Sequence, residues 1–197
     1  ETNNNEKFIL STINNYTIFN FEENIIRLNN LLQNVEYKTL SELNFNVNIG
    51  SVVWNQCKDI LSDNEEDTLL IYSSNIDNGE LKIKNYKDQQ KKNYIKKEGL
   101  HKPNLLVNRG YGVGHYNFNY CLITPDNELI KNGYLIENHV ISITYNGEID
   151  NNELIEKYEK IIESLKNNKT KEFIELYFGN NAINTTELNT IIPIYDY

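Results

Sequence analysis

Apolar positions recur at helical spacing near both ends of the chain and at alternating spacing between them. Lys7–Ile13 reads as a short strand, and Phe21, Ile25, Leu28 and Leu32 fall on one face of a helix over about 21–33. Thr39-Leu40-Ser41-Glu42 has the form of a capping box, a hydroxyl with Glu three residues on, and predicts a short helical turn. Phe45–Ile49 then alternates apolar residues with Asn, as a half-buried strand does, and Gly50 marks a bend.

The middle of the chain reads as β-structure. Thr68–Tyr72, Leu81–Ile83 and Leu105–Val107 are compact apolar strands. His115–Ile123 alternates, with Tyr116, Phe118, Tyr120 and Leu122 on one face and Asn117, Asn119 and Cys121 opposite. Pro125-Asp126-Asn127 is turn chemistry, and Tyr134–Tyr145 predicts one long strand bent near Glu137-Asn138. Helical spacing returns with Leu154, Ile155, Tyr158, Ile161, Ile162 and Leu165, a helix that Asn151 or Asn152 can cap. A second helix spans about Thr170–Phe178 and stops at Gly179, and Thr185 or Thr186 caps a short turn that ends at Pro193. The predicted fold is α+β: a β-rich central module flanked by an N-terminal helix and by C-terminal helices. Residues 1–38 read as a connector and 39–197 as one domain, β-rich over 45–145 and helical over 151–190.

Composition narrows the function classes. A chain of 197 residues suits one domain of ordinary size, and 39% apolar residues suffice for a packed core. No run approaches the eighteen apolar residues of a membrane span, and the N-terminus lacks the layout of a signal peptide. Cys57 and Cys121 are too few for a disulfide framework, which predicts a reducing, cytoplasmic setting. The chain contains no methionine, so it is expected to be a piece of something longer or a processed product. Its abundant Asn, Ile, Lys and Tyr share A/T-rich codons, so no single Asn carries weight by type alone.

Charge changes the picture when it is localised. The net of −9 disfavours nucleic acid, whose phosphates need cations. Lys82–Lys102, however, holds eight lysines against Asp88 and Glu98, a local net of +6 that leaves −15 on the remainder. Tyr86 and Tyr94 interleave with those lysines, as on a surface that tracks a phosphate backbone and stacks bases. A solvated charged face is the plainer reading of the same run.

Candidate chemistry is concentrated in two clusters. Asn108-Arg109-Gly110-Tyr111-Gly112-Val113-Gly114-His115-Tyr116 has three alternating glycines, but they lead into an alternating strand. A dinucleotide or S-adenosylmethionine loop must lead into a helix N-terminus, so a hairpin or bulge is predicted instead. Arg109, one of two arginines, can bond guanine O6 and N7 or a phosphate, or simply pair with a carboxylate. In the second cluster, Trp54-Asn55-Gln56-Cys57-Lys58, the amides can read an adenine edge, whereas a core Trp with solvated neighbours is the ordinary alternative. Ser73-Ser74-Asn75 suits local turn bonding or a phosphate. His101, His115 and His139 lack metal-ligand spacing, and no CxxC occurs. Asp67 followed by Glu80-Leu81-Lys82 has the order of a Mg²⁺-dependent nuclease core, a triplet that arises easily in a chain this charged.

In chain order these pieces resemble a known family. The carriers are Thr39-Leu-Ser-Glu-Leu43, Gly50-Ser-Val-Val-Trp-Asn-Gln-Cys-Lys58, Leu69-Leu-Ile-Tyr-Ser-Ser-Asn-Ile76 and Pro103-Asn-Leu-Leu-Val-Asn-Arg-Gly-Tyr-Gly112. Tyr134-Leu-Ile-Glu-Asn-His139, Phe173-Ile-Glu-Leu-Tyr-Phe-Gly-Asn-Asn-Ala182 and the ending Thr185-Thr-Glu-Leu-Asn-Thr-Ile-Ile-Pro-Ile194 complete the set. From about Thr39 to Tyr197 the chain resembles the C-terminal target-recognition domain of adenine-N6 DNA methyltransferases, the TaqI-like specificity domains of bacterial restriction–modification systems.

The resemblance implies a module that grips double-stranded DNA and reads its sequence while an upstream methyltransferase domain or subunit flips and methylates an adenine. It implies base contacts from Asn55, Gln56, Asn108, Arg109 and Tyr111, and phosphate contacts from Lys58, Lys82, Lys84, Lys91, Lys92, Lys96 and Lys97. S-adenosylmethionine would belong to the partner domain. The loop that holds a flipped adenine needs adjacent prolines, and Pro103, Pro125 and Pro193 are never adjacent. No catalytic residue and no cofactor is therefore expected in this chain, which should bind DNA weakly by itself. A Mg²⁺-dependent nuclease fragment and a protein-interaction domain docking a catalytic subunit remain as alternatives.

Overall fold

The computed structural model describes residues 7–108, 118–178 and 183–197. Its fold is α+β. The chain opens with a hairpin, β1 (Phe8–Ile13) and β2 (Tyr16–Phe21), turned by Asn14 and Asn15, both at positive φ. Two consecutive residues in that region make the turn whose twist suits a two-residue hairpin loop, and Asn tolerates it. Helix α1 (Glu22–Leu32) follows, with Glu22 and Glu23 in its first turn and Ile25 and Leu28 buried. Its buried side meets Phe173, Ile191 and Ile13, so residues 8–32 share a core with the C-terminal helices.

Two four-stranded sheets form the centre. The first has the order β11 (Tyr120–Ile123), β10 (Asn104–Asn108), β13 (Val140–Tyr145), β4 (Phe45–Ile49), antiparallel throughout. The second has the order β12 (Tyr134–Ile136), β6 (Thr68–Ile71), β9 (Tyr94–Ile95), β5 (Leu61–Ser62). In it β12 runs parallel to β6 and the other pairs are antiparallel. Leu106, Cys121, Ile123 and Val140 of the first sheet face Leu69, Ile71, Tyr134 and Ile136 of the second. The opposite face of the first sheet, carrying Phe45, Val47, Leu105, Val107, Ile141 and Ile143, packs on helices. The opposite face of the second sheet, with Leu70, Ile95 and Leu135, lies under the irregular segments around Val52, Trp54 and Tyr86.

Helix α2 (Asn151–Lys166) supplies Leu154, Tyr158, Ile161, Ile162 and Leu165 to the first core. Its cap is Asp150, whose carboxylate accepts the Asn152 N–H at 2.8 Å, rather than Asn151 or Asn152. Helix α3 (Asn168–Phe178) begins after one residue; the expected stop at Gly179 lies outside the described residues. Helix α4 (Thr185–Thr190) is capped by Asn184 through a reciprocal box with Glu187, one residue before the expected threonines. The minor pairs are β3 (Tyr37–Lys38) with β14 (Ile194–Tyr195), and β7 (Ile76–Asp77) with β8 (Glu80–Leu81).

One expectation changes. Tyr134–Tyr145 is two strands in different sheets, β12 and β13, joined by a turn at Glu137–His139. Alternation does continue along 118–123, but Cys121 and Ile123 are almost solvent-free, while Phe118, Tyr120 and Leu122 meet the helical side. Both faces of that strand are covered; residues 115–117 lie outside the described residues.

Candidate nucleic-acid interface

Strand β6 is buried along its length and delivers Tyr72 to its C-terminal end, where Ser73–Asn75 turns the chain. Asn75 is buried and organises that turn: its Oδ1 accepts the Tyr72 N–H at 2.8 Å and the Tyr86 hydroxyl at 3.2 Å, and its Nδ2 donates to the Lys82 carbonyl. The Tyr72 hydroxyl donates to the Lys92 carbonyl at 2.9 Å, and Asn93 donates through Nδ2 to the Lys84 carbonyl. Thr68, at the other end of β6, donates to the Lys97 carbonyl. The lysine-rich run is thereby stitched to the second sheet as an irregular strap.

The same rim receives the ends of neighbouring strands. Asn108, the last residue of β10, donates through Nδ2 to the Ser73 carbonyl, while its buried Oδ1 has no partner among the described residues. After β12 the Glu137 N–H bonds the Ile71 carbonyl, and Asn138 bonds the Val52 carbonyl. Glu137 is 3% exposed, and its carboxylate accepts the His139 backbone N–H at 2.9 Å and meets His139 Nδ1 at 2.8 Å. A buried carboxylate survives because both oxygens are engaged. Gly50 fits beside this turn because a Cβ there would stand 2.3 Å from the Glu137 and Ile136 carbonyl oxygens.

Trp54 begins a short 3₁₀ turn, half-buried, and Asn55 and Gln56 follow it in exposed positions. Asn55, Gln56 and Asn108 thus belong to one rim, linked through Trp54, Tyr72 and Ser73. Arg109 and Tyr111, with the three glycines and His115, lie outside the described residues.

The seven lysines expected on phosphates divide into groups. Lys82 bridges Asp77 at 3.0 Å and Glu80 at 2.9 Å, and those carboxylates hold its ammonium above the ordinary lysine range. Lys92 pairs with Asp63 at 2.5 Å. Lys58 donates to Gln90 Oε1 at 2.7 Å and stands 5.5 Å from the Trp54 ring centre. Lys91 points into a box of aromatic rings, where burial lowers its pKa. Lys84, Lys96 and Lys97 form no ion pair among the described residues. The +6 of the run is therefore partly neutralised where it stands.

Sequence reasoning singled out Tyr86 as a stacking residue of the lysine run but missed its neighbours Tyr72 and Glu137, because nothing in their spacing announces that three segments converge. It also missed a second concavity of about 400 Å³ beside β11. There the stacked rings of Phe118 and Tyr120, 4.9 Å apart, stand near Lys166 and Lys171.

Other chemistries find less. Among the described residues no three His, Cys, Asp or Glu side chains converge as metal ligands, and Glu80 is committed to Lys82. Burial pushes the Cys121 thiol up to about 11, away from nucleophilic use. Among the described residues no helix is long and apolar enough to cross a membrane. Compared with known proteins, the chain matches no protein-family model and no curated sequence.

Proposed function

We propose that this chain is a DNA-recognition module, the target-recognition part of an adenine-N6 methyltransferase whose catalytic domain and S-adenosylmethionine site lie in a partner domain or subunit. The observation that carries this reading is the rim where both sheets end. Exposed amides at Asn55 and Gln56 and the cation Lys58 occur there beside Asn108, and in the sequence Arg109 follows the end of β10. Amides and guanidinium are the groups that read base edges, and lysines neutralise phosphates without reading them. Lys96 and Lys97 extend the cationic strap toward the opposite end of β6.

The exposed face of the N-terminal hairpin supports a protein partner alongside DNA. Leu10 is 71% and Phe19 65% exposed, and they are paired across the hairpin next to Phe8 and Phe21. Such a cluster on a sheet face is unusual for a free surface, and it is the place we assign to contact with the methyltransferase partner.

Gel-shift titration of the full chain on duplex DNA tests the reading. Retention should fall steeply between low and moderate salt, as counterion release requires. Absence of any salt-dependent retention, with the fold intact, would remove it.

A further inference from the structure

The rings around Lys91 make a site of their own beside the base-reading rim. Lys91 Nζ lies 4.1 Å from the Tyr72 ring centre, 4.4 Å from that of Tyr86 and 5.8 Å from that of Trp54. All three are inside the roughly 6 Å at which a ring face attracts a cation. The box is built to hold its shape. Tyr72 is fixed by its bond to the Lys92 carbonyl and Tyr86 by its bond to Asn75, and the two rings meet edge to face at 5.2 Å. Trp54 closes the third side from its own turn.

Charge reinforces the rings. Burial disfavours the cationic form of Lys91, and the Glu137 and Asp88 carboxylates partly offset this, yet the Glu137 oxygens are spent on His139. Among the described residues no carbonyl or carboxylate accepts a hydrogen bond from Lys91 Nζ. A primary ammonium carries three N–H donors, and ring faces satisfy them poorly. An N-methylated ammonium has the same charge with few or no donors to satisfy, and more apolar surface to lay against the rings. The box therefore matches an N-methylated cation better than the lysine that fills it.

We propose that Trp54, Tyr72 and Tyr86 form a binding site for a quaternary or N-methylated ammonium group, with Lys91 as its displaceable internal occupant. Any such ligand competes with Lys91 for the same space, so the unmodified chain binds it weakly.

Trp54 is the only tryptophan of the chain, so its emission reports on this site alone. Tetramethylammonium chloride is titrated against the protein, with KCl holding ionic strength constant. Lys91→Ala should show a saturable change in emission with a midpoint at least tenfold below that of the wild type. Adding Tyr86→Ala to Lys91→Ala should raise the midpoint at least tenfold again. Lys91→Ser supplies a second vacated box. The proposal is overturned if both vacated variants, folded by circular dichroism, give no saturable change or the wild-type midpoint. It is also overturned if Tyr86→Ala leaves the midpoint unmoved.

A wild-type arm needs no vacated box. Lysines are reductively dimethylated with ¹³C-formaldehyde, and the Lys91 methyl resonance is identified by its absence from Lys91→Arg. It should lie upfield of the other dimethyl-lysines under the ring currents. A resonance at the position of exposed dimethyl-lysine contradicts the proposal.

Discussion

Asn75 is almost wholly out of solvent, yet both polar atoms of its amide are used, two bonds to Oδ1 and one from Nδ2. Truncation to Ala strands a backbone N–H and a carbonyl as well as removing the bonds. Asn75→Ala should therefore cost about 3 kcal/mol of stability, read as a shift in a urea midpoint. Cys121 gives a second residue-scale expectation. The folded thiol is raised from 9.0 to about 11 by burial, so the native state holds its proton more tightly than the unfolded chain. That contribution is complete below about pH 9 and is lost as pH rises through 11. Iodoacetamide at pH 8 should label Cys57, which is half-buried, and leave Cys121 untouched until the protein is unfolded. Mass spectrometry of the native protein distinguishes the two; rapid labelling of Cys121 would contradict its placement. Two thiols and a strand or core position for Cys121 are legible in the sequence; that both faces of β11 are packed is not, because its alternation looks alike whichever face is covered.

At the scale of elements, much was legible where one face is apolar. The period of Ile25, Leu28 and Leu32 yields α1, that of Leu154 to Leu165 yields α2, and Phe45–Ile49 is the strand its alternation predicts. The second strand of the N-terminal hairpin lies outside the predicted elements, although Asn14-Asn15 between two β-prone runs is the signal for it. Asn78-Gly79, at positive φ between β7 and β8, is a stronger signal of the same kind. The junction of β12 and β13 is legible only as a bend: the polar run Glu137-Asn138-His139 interrupts two apolar stretches, but only the strand pairing and the inward carboxylate bonded to His139 show that the chain changes sheets there. Gly50 belongs to that junction. Its missing side chain lets the Glu137 and Ile136 carbonyls approach, and neither backbone can move aside without shifting β12. Gly50→Ala should lose roughly 2–4 kcal/mol, of the size associated with overpacking and backbone displacement. A thermal melt within a degree of the wild type would show that the junction yields freely.

For the molecule as a whole, the net of −9 is a poor guide to partners, and so is the +6 of the lysine run taken as bare charge. Lys82 and Lys92 already have carboxylate partners, and Lys91 has its rings. Which lysines are available depends on acids distant in sequence, such as Asp63, and no local count reveals that. Replacing Lys84 by Ala should weaken binding to all duplexes and reduce the salt slope by about one, whereas Lys82→Ala should change it much less. Equal effects from the two would mean that ion pairing leaves Lys82 free to act. The amides are expected to behave differently from either lysine, since they discriminate between bases.

Enrichment from a library of random duplexes, with the full chain as bait at low salt, tests base reading most directly. The wild type should recover a defined sequence preference, and Asn55→Ala with Gln56→Ala should relax it while total retained DNA falls little. A recovered pool as random as the input, from a folded chain that still retains DNA, would contradict base reading by this rim.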